Sequence, residues 1–190
     1  IQLTGTLETD MKRYDLMNQI NARGTFLVSK LCIPHLKLAQ NPHILNLAPP
    51  LDMKAKWFKN HVAYTMAKFG MSMCTLGMSA EFATDGVAVN SLWPLTAIDT
   101  AAVRNLLGGE KMAAISRSPE IMADAAYAIL NRPSRQCTGR FFIDELVLRE
   151  EGVTDFSKYA TPGAETLAAD FFVPDAVFEK TDTKVMRLGG

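Results

Sequence analysis

No serine or threonine occurs from Leu31 through Tyr64. Across that whole stretch the chain has no aliphatic hydroxyl to offer a substrate. Glycine-rich turns of the type Gly-x-Gly-x-x-Gly or Gly-x-x-x-Gly-x-Gly are also missing. Such turns let a backbone approach a pyrophosphate, and the Gly108-Gly109 pair follows a helical stretch rather than a strand. Cysteine is scarce, with Cys32, Cys74 and Cys137 far apart and no Cys-x-x-Cys. This argues against a disulfide framework or a zinc site and fits reduced thiols in an intracellular compartment; no metal site is expected. Net charge is absent too, with 20 basic against 20 acidic residues. No strong field points to nucleic acid, an anionic membrane surface or a highly charged ligand. Apolar runs of eighteen or more residues and a charged-then-apolar leader are lacking, so no membrane span is expected.

What is present is an alternation of helical and strand-like stretches in a chain of 190 residues, 48% of them apolar. Leu16, Ile20, Phe26, Leu27, Cys32, Ile33 and Leu36 recur at helical spacing over 11–38, with Pro34 placed to kink the later part. His43–Leu47 is a short apolar run closed by Pro49-Pro50, as a buried strand of a parallel sheet would be. A helix over 59–84 stops at Asp85-Gly86, and Val87–Trp93 follows as a second buried strand ended by Pro94. Ala101–Leu107 reads as a short helix, Ser118-Pro119-Glu120 starts another that runs to about Asn131, and Arg140–Ile143 is a third strand. Apolar strands separated by helices indicate an α/β layer sandwich with a parallel sheet. From Glu150 the periodicity fades. The expected division is therefore 1–149 as the α/β domain and 150–190 as a C-terminal extension or linker.

Tyr64 and Lys68 stand four residues apart in the second helix and share a face. A phenol with a pKa near ~10 is a poor proton carrier at neutral pH, and a fixed cation beside it favours phenolate. Tyr64 is thus a candidate general acid/base. Asn46 and Asn90 interrupt apolar strands, where a buried amide must find partners, and are read as structural. His61 shares Tyr64's face and is read as an ordinary helical histidine. The ten methionines are read as filling a core or a helix interface.

The order of Asn21 in Ile20-Asn21-x-x-Gly24-Thr-Phe, the Asn46 strand, Tyr64-x-x-x-Lys68 and Val89-Asn90-x-x-x-Pro94 resembles the C-terminal half of a short-chain dehydrogenase/reductase. The resemblance covers residues 1–145. It implies part of a Rossmann-like doubly wound parallel sheet whose N-terminal strands and glycine-rich loop are absent from this chain. It also implies NADP(H) as cofactor and a carbonyl or secondary alcohol, lipid-like ones included, as substrate. Tyr64 would be the proton donor or acceptor, Lys68 would bind ribose and lower the tyrosine pKa, and Asn21 would hold a relay water. Tyr64, Lys68, Pro94, Thr96 and Ile98 would contact the cofactor. The phrases at 22–26, 43–47, 70–73 and 93–98, with Asp144-Glu145 and Glu150-Glu-Gly152, are similar to a hydroxysteroid dehydrogenase-like branch of that family. Members of that branch carry a linker and a lipid-binding domain after the reductase part and are associated with peroxisomes and mitochondria.

Two departures stand out. Ala48-Pro49-Pro50 occupies the place of the family's serine, and Leu95 stands where a glycine is usual. With the phosphate loop also missing, the chain is expected to be a fragment unable to act alone. The alternative is a non-catalytic, degenerate piece serving as an interaction or lipid-handling module. The helices over 11–38 and 59–84 correspond to those that pair across the family's dimer interface. Phe69, Met73, Leu76, Gly77 and Ala80 therefore suggest a homo-oligomer.

Overall fold

The structure, a computed structural model, describes residues 1–187. The chain forms two compact units: Ile1–Leu92 with Leu130–Phe141, and Trp93–Ile129 with the chain from Phe142 onward. Strands β1 (His43–Asn46), β2 (Ala88–Trp93) and β3 (Phe141–Ile143) form a parallel sheet in the order β1-β2-β3. β1 and β2 run parallel with Ile44 opposite Val89. All six residues of β2 are buried, which is why that segment shows no polar-apolar alternation and its Asn90 and Ser91 are hydrogen-bonded inside.

In the first unit the expected long helix is three pieces: α1 (Met11–Asn18), a π-helical turn (Gln19–Arg23) and α2 (Gly24–Leu36). Asp10 caps α1 by accepting the Arg13 N–H at 2.9 Å. The interruption is this π turn and not a kink at Pro34. α2 runs on through Pro34 to Leu36. α3 (Val62–Glu81) lies against the π turn so closely that a Cβ built on Gly70 would sit 2.6 Å from the Ala22 Cβ. Ile33, Met78, Val87 and Val89 make an apolar cluster joining α2, α3 and β2.

Neutral polar side chains lock this unit from inside. Asn46 Nδ2 donates to Thr75 Oγ1 at 2.8 Å, and Thr75 Oγ1 lies 2.8 Å from Ser91 Oγ. Asn90 donates to the Cys137 carbonyl at 2.7 Å and accepts the Arg140 N–H at 2.9 Å. The structural reading of both asparagines holds. Among the described residues β1 pairs only with β2 in this sheet. Along it runs a cleft of about 560 Å³ lined by Val28, Cys32, Leu36, Ile44, Leu45 and Met71, among others. Among the described residues this edge of the sheet is bare and apolar.

The second unit holds α4 (Ala101–Leu106), α5 (Gly109–Ala113), α6 (Glu120–Leu130, but for its last residue) and α7 (Asp144–Glu150). Gly108 and Gly109 both take positive φ, 122° and 65°, and so turn the chain from α4 into α5.

The described chain beyond Glu150 is grouped within the second unit. Leu167–Ala168 (β4) and Val185–Met186 (β5) pair in parallel. Phe156, Tyr159, Phe172 and Val173 are buried, and Tyr159 Oη donates to Asp124 Oδ2 on α6 at 2.5 Å. These anchors are isolated aromatic residues without periodicity, so pattern reading passes over them. Residues 188–190 of the expected linker lie outside the described residues.

Candidate active site

Three of the candidate residues lie in the first unit. Tyr64 and Lys68 occupy successive turns of α3, a helix built from good helix formers and entered from a chain turn at His61. Tyr64 is buried, at 7% exposure, while Lys68 is half-buried. Lys68 Nζ reaches back to donate to the Leu47 carbonyl at the end of β1, 3.2 Å away. The Tyr64 ring meets the His61 ring edge-on, with centroids 5.9 Å apart. Burial holds the His61 imidazole below its ordinary value, so it stands as a neutral wall beside the phenol at pH 7. His61 Nδ1 lies 3.1 Å from Thr65 Oγ1, which donates to the Trp57 carbonyl at 2.5 Å. The loop before α3 is thereby tied to the helix.

Asn21 sits inside the π turn, half-buried, with its side-chain amide donating to the Met17 carbonyl at 2.9 Å. Widened turns of this kind recur at functional sites because they re-aim a residue without ending the helix. The Ala22–Gly70 approach brings that turn onto α3 two residues past Lys68.

The place of the absent serine is filled by apolar packing. Ala48 is fully buried. The nearby α3 hydroxyls are committed elsewhere, Ser72 to the Pro49 carbonyl at 2.7 Å and Thr75 to Asn46 and Ser91.

Pro94, Thr96 and Ile98 belong to the second unit. Pro94 and Thr96 are buried and Ile98 half-buried. Thr96 Oγ1 is buried and has no hydrogen-bond partner, which leaves a hydroxyl able to satisfy an amide. Leu95, in place of glycine, carries no positive φ and is completely buried; it is a core residue, and the backbone here does not demand glycine.

Sequence reasoning did not give a role to the two acidic residues at the end of β3. Asp144 Oδ1 accepts the N–H of Leu95 at 2.9 Å and of Glu145 at 2.7 Å. Burial pushes its carboxyl up to about 6, against the opposing pull of those two N–H groups and of Arg117. Glu145 is fully buried and pairs with buried Arg117 at 2.6 Å and with Arg149 at 2.8 Å. Burial drives it upward, but the Thr181 hydroxyl, the Arg117 charge and the Thr183 hydroxyl outweigh this and hold it below its ordinary value. The available signal was Asp-Glu directly after Phe-Phe-Ile, acids at a point where an apolar strand has only just ended.

With this geometry in view, residues 2–142 match the family model described as enoyl-(acyl carrier protein) reductase. The chain belongs to the short-chain dehydrogenase/reductase family. It is 58% identical over 173 residues to hydroxysteroid dehydrogenase-like protein 2 of Danio rerio, covering 91% of this chain and 41% of that protein. The chain therefore spans about two fifths of that relative's length. Its fold is similar to a short chain dehydrogenase from Mycobacterium thermoresistibile, with a TM-score of 0.83 and 50% identity over 92% of this chain and 61% of the other. The angucycline C-6 ketoreductase LanV with bound NADP shares the fold at a TM-score of 0.62 and 19% identity, over 75% of this chain and 56% of the other.

Proposed function

We propose that the chain carries the proton-transfer and nicotinamide-flanking part of an NADP(H)-dependent oxidoreductase acting on a carbonyl or secondary alcohol. The observation that carries this reading is the buried Tyr64 one turn before Lys68 on a helix that closely abuts the Asn21 turn. The nicotinamide supplies or takes the hydride at the substrate carbon. In the reducing direction Tyr64 Oη gives its proton to the substrate oxygen, and Lys68, leaving the Leu47 carbonyl for ribose, favours the phenolate that remains. Asn21 holds the water through which the phenol is reprotonated. Pro94, Thr96 and Ile98 would hold the nicotinamide end of the cofactor. Apart from the exposed Lys111, the charges of the 95–117 loop are engaged within the protein: Arg104 binds Asp99 at 2.6 and 2.7 Å and Glu110 at 2.6 Å, and Arg117 binds Glu145. This favours an apolar, lipid-like substrate, which suits a protein of peroxisomes or mitochondria. Pairing of two copies through the exposed faces of α2 and α3 belongs to the same reading.

The buried Ala48 favours a second reading, a non-catalytic module that binds a partner or lipid. Loss of one oxyanion donor costs ~10²–10³ in rate, so the missing hydroxyl weakens turnover without excluding it. In a polypeptide as long as the relatives it matches, Tyr64→Phe is expected to reduce turnover by at least ~10²-fold with cofactor affinity nearly unchanged. Single-turnover kinetics that leave most of the rate in place would overturn the acid/base role of Tyr64, and absence of any turnover in the unsubstituted polypeptide would give the case to the second reading.

A further inference from the structure

Within the second unit the Pro94–Ile98 loop is gripped from three directions. From below, Asp144 Oδ1 takes the Leu95 N–H. Along one flank the Arg117 N–H donates to the Ala97 carbonyl at 2.9 Å, and Asp99 N–H to the Arg117 carbonyl at 2.8 Å. Along the other, Ala97 N–H donates to the Ala168 carbonyl at 2.9 Å and Asp170 N–H to the Leu95 carbonyl at 3.1 Å. Trp93 Nε1 closes the end by donating to the Phe171 carbonyl at 2.7 Å.

The two flanks share one anchor. Glu145 holds the Arg117 guanidinium and also accepts from Thr181 and Thr183 of the extension, the latter at 2.7 Å. Phe172, fully buried and at a φ of 66°, is the one non-glycine residue in the left-handed region among those described. Such a conformation persists only where the surroundings fix it.

We propose that Asp144 is a positioning residue which, through the Leu95 N–H and with residues 168–171 as a strap, holds the Pro94–Ile98 loop in one place. The strap makes the extension a working part of the site. For the cofactor this rests on the oxidoreductase reading above: a fixed loop sets where Thr96 meets the nicotinamide, and so sets cofactor affinity more than the proton-transfer step.

Amide hydrogen exchange read residue by residue on the chain tests the clamp without any activity. Asp144→Ala is expected to speed exchange at Leu95 and Ala97 by ~10–100-fold, with Ala67 and Ser91 in the first unit unmoved. Asp144→Asn keeps the Oδ1 acceptor and is expected to stay within ~3-fold of the unsubstituted chain. Trp93→Phe, which removes the bond to Phe171 and part of the ring packing on Phe172, is expected to loosen Asp170 before Leu95. In a polypeptide of the relatives' length, Asp144→Ala is expected to raise the KM for NADP(H) by ~10-fold with kcat within ~3-fold, and Asp144→Asn to restore it. The proposal is overturned by unchanged exchange at Leu95 in Asp144→Ala, by equal damage from the asparagine variant, or by faster exchange with an unchanged cofactor KM. Failure of NADP(H) to bind any form would remove the cofactor consequence together with the oxidoreductase reading. The exchange pattern would still decide the clamp.

Discussion

The two units solve one problem, fixing polar backbone and side-chain groups away from water, with different chemistry. Around Tyr64 the first unit uses amides and hydroxyls: Asn46 to Thr75 to Ser91, Asn90 across to Cys137 and Arg140, and Ser72 to Pro49. Around the Pro94–Ile98 loop the second unit uses full charges, with Asp144 and Glu145 set against Arg117 and Arg149. Neutral pairs are indifferent to pH and salt, and each is replaceable at modest cost. Buried charges are worth much more to break than to make, because removing one partner strands the other. The first unit should therefore yield gradually to substitution and the second abruptly.

The largest expected effect comes from stranding Arg117. Glu145→Ala should destabilise the second unit by ~3–5 kcal/mol, read by chemical denaturation followed at Trp93. A loss under ~1 kcal/mol, the range of exposed pairs, would mean that the pair is solvated and the contrast false.

Next comes pH. The Asp144 carboxyl lies at about 6 in the folded chain against an ordinary value of 3.8. Between these values the folded chain holds a proton that the unfolded chain has released. Stability is therefore favoured by Asp144 at low pH and declines as pH rises through about 6, by ~2–3 kcal/mol in all. Asp144→Asn should remove this slope and raise stability at pH 8. Parallel stability curves for the two proteins between pH 4 and 8 would contradict it.

Smaller still is Thr75→Val, which preserves shape but strands Asn46 and Ser91. A cost of ~1–3 kcal/mol that is the same at pH 5 and pH 8 would sharpen the contrast, and a pH-dependent cost would blur it. The smallest effect is a gain. A Cβ on Gly77 would meet nothing within 4 Å, so Gly77→Ala in the middle of α3 should stabilise by ~0.5–1 kcal/mol. A destabilised Gly77→Ala would show that the open side of α3 is covered.

That last position bears on association. Phe69, expected on the partner-facing side, is 1% exposed and packs edge-on against Phe58 at 5.4 Å. Met66, Met73 and Leu76 remain exposed, so the apolar outer stripe of α3 survives with a different membership.

What could be read from the sequence follows from how local each signal is. β2 was legible because a strand buried on both faces is apolar wherever no partner is at hand, Asn90 and Ser91 being the hydrogen-bonded exceptions. Tyr64 and Lys68 were legible because helical spacing alone places them on one face. The π turn was not, since one extra residue leaves the apolar period almost intact. The extension was not, because it is held by single aromatics, by Thr181 and Thr183 on Glu145, and by backbone pairing that any side chain permits. Arg117 looked like one more charge in a loop. Only its partner, 28 positions later, makes it a buried ion.

The widened turn at Gln19–Arg23 also limits how this helix can change length. Deleting one residue there would let α1 run into α2 with regular hydrogen bonds and leave the later turns facing as they do now, because the widened turn absorbs one extra residue without passing it on as rotation. Ser29 and Ile33, the buried residues of α2, would stay on the core, while Asn21 would lose the wide turn that aims it. A second insertion has no such turn to absorb it and would rotate α2 by about 100°, the angle between successive residues of an α-helix, carrying both off the core. The segment should therefore accept a shorter count with its packing intact and resist a longer one, so that the wide turn serves the aim of Asn21 rather than the seating of α2.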